Sequence, residues 1–166
     1  WIPRSKLENS PDDVDYEQWE REGWITIIDG NAVDSSIVAE WHFELLAEYD
    51  LKPFMSGYDN RFAKDFINRY VDIFGEKLTI NIPQDFKALN NPMKTLEADI
   101  RDGLINYQNN PVCCWGFRNT GIVLDKVGRM MPAKMEPNKR IDGTVSKIIA
   151  YATLEWHRSE FMSLIN

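Results

Sequence analysis

The stretch Lys139-Arg140-Ile141-Asp142-Gly143-Thr144-Val145-Ser146-Lys147-Ile148-Ile149-Ala150-Tyr151-Ala152 decides how this chain is read. Ile141, Val145, Ile148, Ile149, Ala152 and Trp156 recur at steps of three and four. That spacing predicts one buried stripe down a helix of about four turns. Asp142 lies at the rim of the stripe, in the first turn. A carboxylate there has two readings: it caps the helix by accepting backbone N–H bonds at the positive end of the dipole, or it holds a cation over a cleft.

Outward from this helix, strand-like and helix-like patterns alternate. Trp24-Ile25-Thr26-Ile27-Ile28 is β-branched and aromatic, ends at Asp29-Gly30, and reads as a strand with a turn. Asp34 is expected to cap a helix with Ile37, Val38, Trp41, Leu45 and Tyr49 as its apolar face and His42 as an ordinary flanking histidine. Pro53 to Tyr58 reads as a strand feeding a helix through Asp59-Asn60. That helix carries Phe62, Phe66, Ile67, Tyr70 and Phe74 on one side and ends near Gly75. Leu78 to Ile82 alternates, stops at Pro83, and reads as another strand. Asn91-Pro92 reads as a cap with proline at the first helical position, and Met93, Leu96 and Ile100 form the face before Gly103.

Pro111 to Phe117 is compatible with strand or helix, because the apolar run is short. Thr120 to Leu124 and Arg129 to Ala133 flank Asp125-Lys126-Val127-Gly128 as a β-hairpin. Residues 1–22, with Pro3, Pro11 and the acidic run Asp12-Asp13-Val14-Asp15, read as an extended connector with a helical turn near Tyr16 to Arg21. The alternation predicts a single α/β domain over residues 1–166, largely parallel at its centre and carrying an antiparallel element.

With 166 residues, 43% of them hydrophobic and 12% aromatic, the chain can bury one proper core. It opens on Trp1 rather than Met and shows neither an apolar run of membrane-spanning length nor a charged-then-apolar leader, so a soluble piece of a longer protein is expected. Cys113 and Cys114 are adjacent, which suits neither a mutual disulfide nor, without a second pair, a zinc site; reduced thiols are expected. His42 and His157 alone leave little for histidine-based nuclease or zinc hydrolase chemistry.

The net charge of -7 is unevenly distributed. Residues 1–60 hold four Lys or Arg against fourteen Asp or Glu, whereas residues 61–166 hold fifteen against twelve. From Arg118 to Lys147 there are seven basic residues and three acids, so Asp142 stands in a locally positive neighbourhood. This suits a phosphate-bearing substrate, and equally a solvated basic face.

Asp59 falls at the carboxyl end of a strand, the edge where open α/β sheets bind ligands, and the start of a helix is its other reading. If the fold brings Asp59 and Asp142 together, a cation must offset their repulsion, and oxygen ligands favour Mg²⁺ or Mn²⁺. A site of this kind can cut a phosphodiester, one metal activating a water while a second, about 4 Å away, stabilises the leaving oxygen. Two metals call for a third carboxylate, for which Glu97, Asp125 and Asp29 are the candidates within the chain.

The residues then resemble a known family, the nuclease domain of the large terminase subunit of tailed bacteriophages. The likeness runs through Trp1-Ile2-Pro3, then Tyr16, Trp19 and Gly23, then Tyr58-Asp59 before a helix. It continues through Asn110-Pro111-Val112 with Trp115 and Asn119, then Lys134, and Lys139-Arg140-Ile141-Asp142-Gly143 leading into a helix. What it implies is an RNase H-like mixed sheet flanked by helices, cutting concatemeric double-stranded DNA with two divalent metals. Asp59 and Asp142 match two of the family's metal-binding aspartates.

The family's first aspartate lies on a strand before the Trp-x-Pro segment, so the resemblance implies a fragment lacking its first strand, with an incomplete site and an exposed sheet edge. No phosphate-binding motif G-x-x-x-x-G-K-[ST] occurs. Lys134 matches a basic position of the pattern, where it would contact DNA phosphate or simply sit solvated on a hairpin; Lys139 and Arg140 could contact DNA similarly. Asn119 and Trp115 are expected to pack rather than to ligate. The resemblance further implies a terminase small subunit and a portal as partners, an oligomeric motor, and action in the host cytoplasm away from membranes. The alternatives are a non-catalytic nucleic-acid-binding or packaging-assembly module, and another RNase H-like nuclease or integrase.

Overall fold

The apolar stripe around Ile148 organises the core. In the computed structural model, which describes residues 1–7, 14–61, 64–137 and 139–165, it lies on a helix spanning Asp142–Trp156. In chain order the elements are β1 Ile2–Pro3, α1 Tyr16–Arg21, β2 Ile27–Ile28, α2 Ser35–Glu48, β3 Ser56–Tyr58, α3 Lys64–Phe74, β4 Thr79–Asn81 and α4 Phe86–Arg101. They continue with α5 Pro111–Asn119, β5 Thr120–Leu124, β6 Met130–Lys134, α6 Asp142–Trp156 and α7 Arg158–Ile165. Phe62, Pro11, Asp12 and Asp13, which entered the sequence reading, lie outside the described residues.

The mixed α/β composition is borne out, but the described strands form three two-stranded ladders rather than one sheet: β1–β2 parallel, β3–β4 parallel, and β5–β6 antiparallel. Among the described residues no strand joins the two parallel pairs into one sheet. Of the segment read as a connector, Ile2–Pro3 is extended and docked, with Ile2 paired to Ile27 and its N–H donating to Thr26 O at 2.9 Å, whereas Arg4–Lys6 forms a 3-10 turn.

Helix α6 packs against α4, bringing Ile148, Ile149 and Ala152 onto Leu89, Met93 and Leu96, with Ile82 closing the cluster. Leu89 is only 1% exposed at its centre, so Leu89→Ala is expected to cost about 2–5 kcal/mol in denaturant unfolding. Trp156, assigned to the stripe by its spacing, is exposed instead. It is the last residue of α6, about one turn past the last buried residue, Thr153.

Two further readings need correction. Asn91-Pro92 does not open a helix: α4 starts a turn and a half earlier, where the Asp85 carboxylate accepts the Lys87 and Ala88 N–H groups at 2.8 Å each, and Pro92 is a buried residue inside it. The proline is accommodated because it fills the core. Helix α2 is capped by Asp34 as expected, but Ile37, Trp41 and Tyr49 of its predicted face are exposed. It is Ala39, His42 and Phe43 that turn toward the Phe66, Tyr70 and Phe74 stripe of α3. His42 is therefore a partly buried aromatic neighbour, and burial lowers its pKa from the usual 6.5.

Pro111 to Phe117 proves helical, because Asn110 caps α5 by accepting the Val112 and Cys113 N–H groups. Gly103 and Gly75 both take positive φ, +69° and +85°, as the ends of α4 and α3 require. The hairpin forms about Asp125–Gly128, with its second strand one residue later than expected, at Met130–Lys134, so that Leu124 faces Met130.

Tyr151 of α6 donates to the Asp99 carboxylate of α4 at 2.7 Å. Burial, together with that hydrogen bond and charge, pushes the hydroxyl up from 10.0 to about 12. The folded state keeps this proton to higher pH than the unfolded chain does. Its stabilising contribution is thus complete below about pH 10 and declines as pH rises toward about 12. Denaturant midpoints across that interval should show the decline, and Tyr151→Phe should remove this component of it.

Candidate active site

Strand β3 ends at Tyr58 and hands the chain to Asp59, which is half-buried at its carboxyl tip. The Asp59 carboxylate accepts the Arg61 N–H at 2.9 Å through Oδ1, a local turn that orients the side chain and leaves Oδ2 free of hydrogen bonds among the described residues. Asn60 and Arg61 follow it as a turn, and α3 is described from Lys64. Parallel pairing with β4 anchors the strand from behind, and the Ile82 N–H reaches Tyr58 O at 2.9 Å.

Asp142 is the first residue of α6. The N-cap position falls on Ile141, which offers no side-chain bond. The capping reading of Asp142 therefore fails, and among the described residues no hydrogen bond or ion pair occupies its exposed carboxylate. Its position is fixed by the two residues before it. Ile141 is buried ahead of it, and buried Asn119 donates through Nδ2 to Arg140 O at 3.2 Å.

The two aspartates meet at one cleft of about 520 Å³, between the tip of β3 and the first turns of α6. Arg61, Gln84 and Ser146 share its walls. Ser146 stands one helical turn from Asp142, on the same face, a relation legible in the spacing although the sequence reading did not use it. Gln84 was missed because only the fold brings its loop to the cleft, whereas Arg61, two residues after Asp59, was near enough in the chain to be found.

None of the three candidate third carboxylates joins them. Asp29 pairs with Arg4 at 3.2 Å, Glu97 with Arg101 on α4, and Asp125 with Arg129 at 2.7 Å across the hairpin turn. Hydrogen bonds from Arg129 and Val127 hold the Asp125 carboxyl below its usual range despite the opposing effect of desolvation. Among the described residues no cluster of three or more His, Cys, Asp or Glu side chains could hold a metal ion.

Of the basic residues, Lys134 is exposed at the end of β6, opposite Thr120, and neither it nor Lys139 is among the residues lining the cleft. Arg140 lines a second crevice, on the other side of Asp142. Trp115 packs edge-on against Tyr16 and Trp19, and Asn119 is buried in its hydrogen bond, so both are packing residues as expected. Cys113 and Cys114 are free thiols.

These features define a mixed α/β domain with a cleft at a strand tip to which two aspartates contribute. Residues 2–158 match the family described as terminase large subunit, endonuclease domain, and the chain belongs to that family. It is 29% identical over 149 residues to the terminase large subunit of Enterobacteria phage HK97, covering 88% of this chain and 29% of that protein. It is also 26% identical over 165 residues to protein YmfN of Escherichia coli (strain K12), covering 90% of this chain and 34% of YmfN. The crystal structure of the HK97 bacteriophage large terminase superposes with a TM-score of 0.75 at 28% identity, over 92% of this chain and 32% of that one. The chain thus spans about a third of the length of these relatives. Among the described residues no helix is long and apolar enough to cross a membrane.

Proposed function

We propose that this chain is the nuclease part of a DNA-packaging terminase, cutting concatemeric double-stranded DNA by metal-dependent phosphodiester hydrolysis on an RNase H-like scaffold. The observation that carries the reading is that Asp59 and Asp142, eighty-three positions apart in the sequence, line one cleft with carboxylate oxygens that the fold does not use for capping. Family membership supports the reaction class.

The donor set fits a hard divalent cation. Asp59 and Asp142 offer carboxylate oxygens, and neutral Gln84 and Ser146 beside them leave room for water ligands. Two carboxylates are short of a two-metal site, so a further acidic ligand from elsewhere in the protein belongs to this reading. A bound Mg²⁺ or Mn²⁺ would supply water activation and charge stabilisation at the phosphate. The chain's own residues do the positioning. The turn at Asp59 uses only Oδ1 and the first turn of α6 makes no bond to the Asp142 carboxylate, so Asp59 Oδ2 and both Asp142 oxygens are left for a ligand, and Arg61 places positive charge in the cleft for the incoming phosphodiester. Lys134, Lys139 and Arg140 extend the basic surface along the DNA. The small terminase subunit and the portal are the assembly partners this reading brings with it.

Calorimetric titration with Mn²⁺ tests it. Binding that is lost on Asp59→Asn supports the reading, and unchanged binding in that variant would remove the proposed ligand.

A further inference from the structure

On the side of Asp142 away from the metal cleft lies a crevice of about 440 Å³, bounded by β1, α5 and the start of α6. Much of its wall is apolar, Trp1, Ile25, Val112 and Trp115 among it, and its polar side is formed by Arg140, Lys147 and the first turn of α6, with Asp142 at the border. Arg140 and Lys147 both line it, and among the described residues neither has a carboxylate within ion-pairing distance. Lys147 Nζ is steered by Gly143 O and Cys113 Sγ, each at 3.3 Å, and lies 5.5 Å from the Phe117 ring centroid. Those contacts fix the ammonium without neutralising it.

Helix α6 opens onto the same crevice. With Ile141 at the N-cap and no side-chain bond there, the N–H groups of the first turn are left for an external acceptor, since the first bond back into the helix is Val145 N–H to Ile141 O at 2.9 Å. Two further groups await a partner. Thr144, only 6% exposed, buries its Oγ1 with no hydrogen bond, and so does the Arg140 Nε–H. Leaving such groups unpaired is costly. Gly116 lacks the Cβ that would stand 3.3 Å from Thr144 Oγ1, so α5 lies close against the first turn of α6, and both residues line the crevice.

We propose that this crevice is a phosphate subsite that holds a DNA backbone phosphate flanking the one presented to Asp59 and Asp142. This rests on the nuclease reading for the identity of the strand, while the anion chemistry stands on the crevice itself. Asp142 borders both cavities. A cation held on its cleft side offsets the negative charge that would otherwise oppose an anion here, so metal and phosphate occupancy should reinforce each other.

The test has two parts. Titration with inorganic phosphate, followed by ¹⁵N NMR, should shift the Gly143 and Thr144 amides in this chain and in any longer form of the protein that contains it. Absent shifts, or shifts that vanish in the longer form because upstream residues fill the crevice, overturn the proposal. For duplex DNA binding in EDTA, Lys147→Gln should lower the slope of log affinity against log salt by about one unit, and Lys147→Arg should restore it. An unchanged slope overturns the role in DNA binding. Should Lys147→Gln fail to fold, the near-isosteric Thr144→Val must weaken the phosphate-induced shift at Gly143, and an undiminished shift counts against the site. Phosphate shifts that persist while Mn²⁺ fails to bind Asp59 and Asp142 would fault the metal reading and leave the anion subsite standing.

Discussion

Asp142→Asn is expected to reduce DNA cleavage about 100-fold or more while moving the melting temperature by no more than about 4 °C. The two halves come from the same local geometry. Asn caps a helix as well as Asp does, so a purely structural role would leave both activity and stability untouched. The carboxylate makes no capping bond, and its favourable interaction with the helix dipole is worth about 0.3–1 kcal/mol at an exposed site. Replacing one oxygen by an amide nitrogen, however, removes the charge and the hard donor that a divalent cation needs. Loss of a group that merely supports a metal ligand already costs about 10–100-fold, and loss of the ligand should cost at least as much. Asp59→Asn should behave in the same way, because an Asn side-chain oxygen can still accept the Arg61 N–H that holds the turn. Nicking of supercoiled plasmid by the full-length protein is the assay. Cleavage within tenfold of wild type in both variants would contradict the assignment.

Gly57→Ala carries the largest effect expected on the fold itself. Strand β3 crosses α6 so closely that a Cβ at Gly57 would fall 1.9 Å from Thr153 Oγ1 and 3.1 Å from Ile149 Cγ2. Thr153 cannot swing away freely, since its hydroxyl bonds Ile149 O at 2.8 Å inside the helix. Strand and helix must therefore separate, at a cost of about 1–3 kcal/mol, or roughly 2–12 °C in melting temperature. Because β3 carries Asp59 and α6 carries Asp142, the same displacement should widen the cleft and lower cleavage more than the lost stability alone explains. Adding Thr153→Ala removes the nearest clashing atom and should recover part of both losses, giving a non-additive double-mutant cycle. A stable and fully active Gly57→Ala would mean that the strand does not rest on the helix as described.

Much of this arrangement is legible in the chain because local chemistry and tertiary packing agree there. The α6 stripe, the Asp34 cap, the hairpin about Asp125–Gly128 and the strand tip at Asp59 are all set by residues within a few positions of one another. The reading fails where a distant partner decides. Asn91-Pro92 looks like a helix start, yet Asp85 begins α4 earlier and the core accepts a proline in mid-helix. The face of α2 is set by the aromatic stripe of α3, which no spacing within α2 reveals. The cleft itself was half legible. Asp59 and Asp142 stand out by position, whereas Gln84 and the unpaired groups at Arg140 and Thr144 acquire meaning only once α6 is seated against its neighbours.

The central claim is that Asp59 and Asp142 together hold one divalent cation. Anomalous diffraction from crystals of the protein grown with Mn²⁺ tests it most directly. The account predicts a manganese peak between the two side chains, with an oxygen of each carboxylate at a bonding distance of roughly 2.0–2.6 Å. A peak bound elsewhere, or a well-ordered cleft that takes up no manganese at saturating concentration, would contradict it.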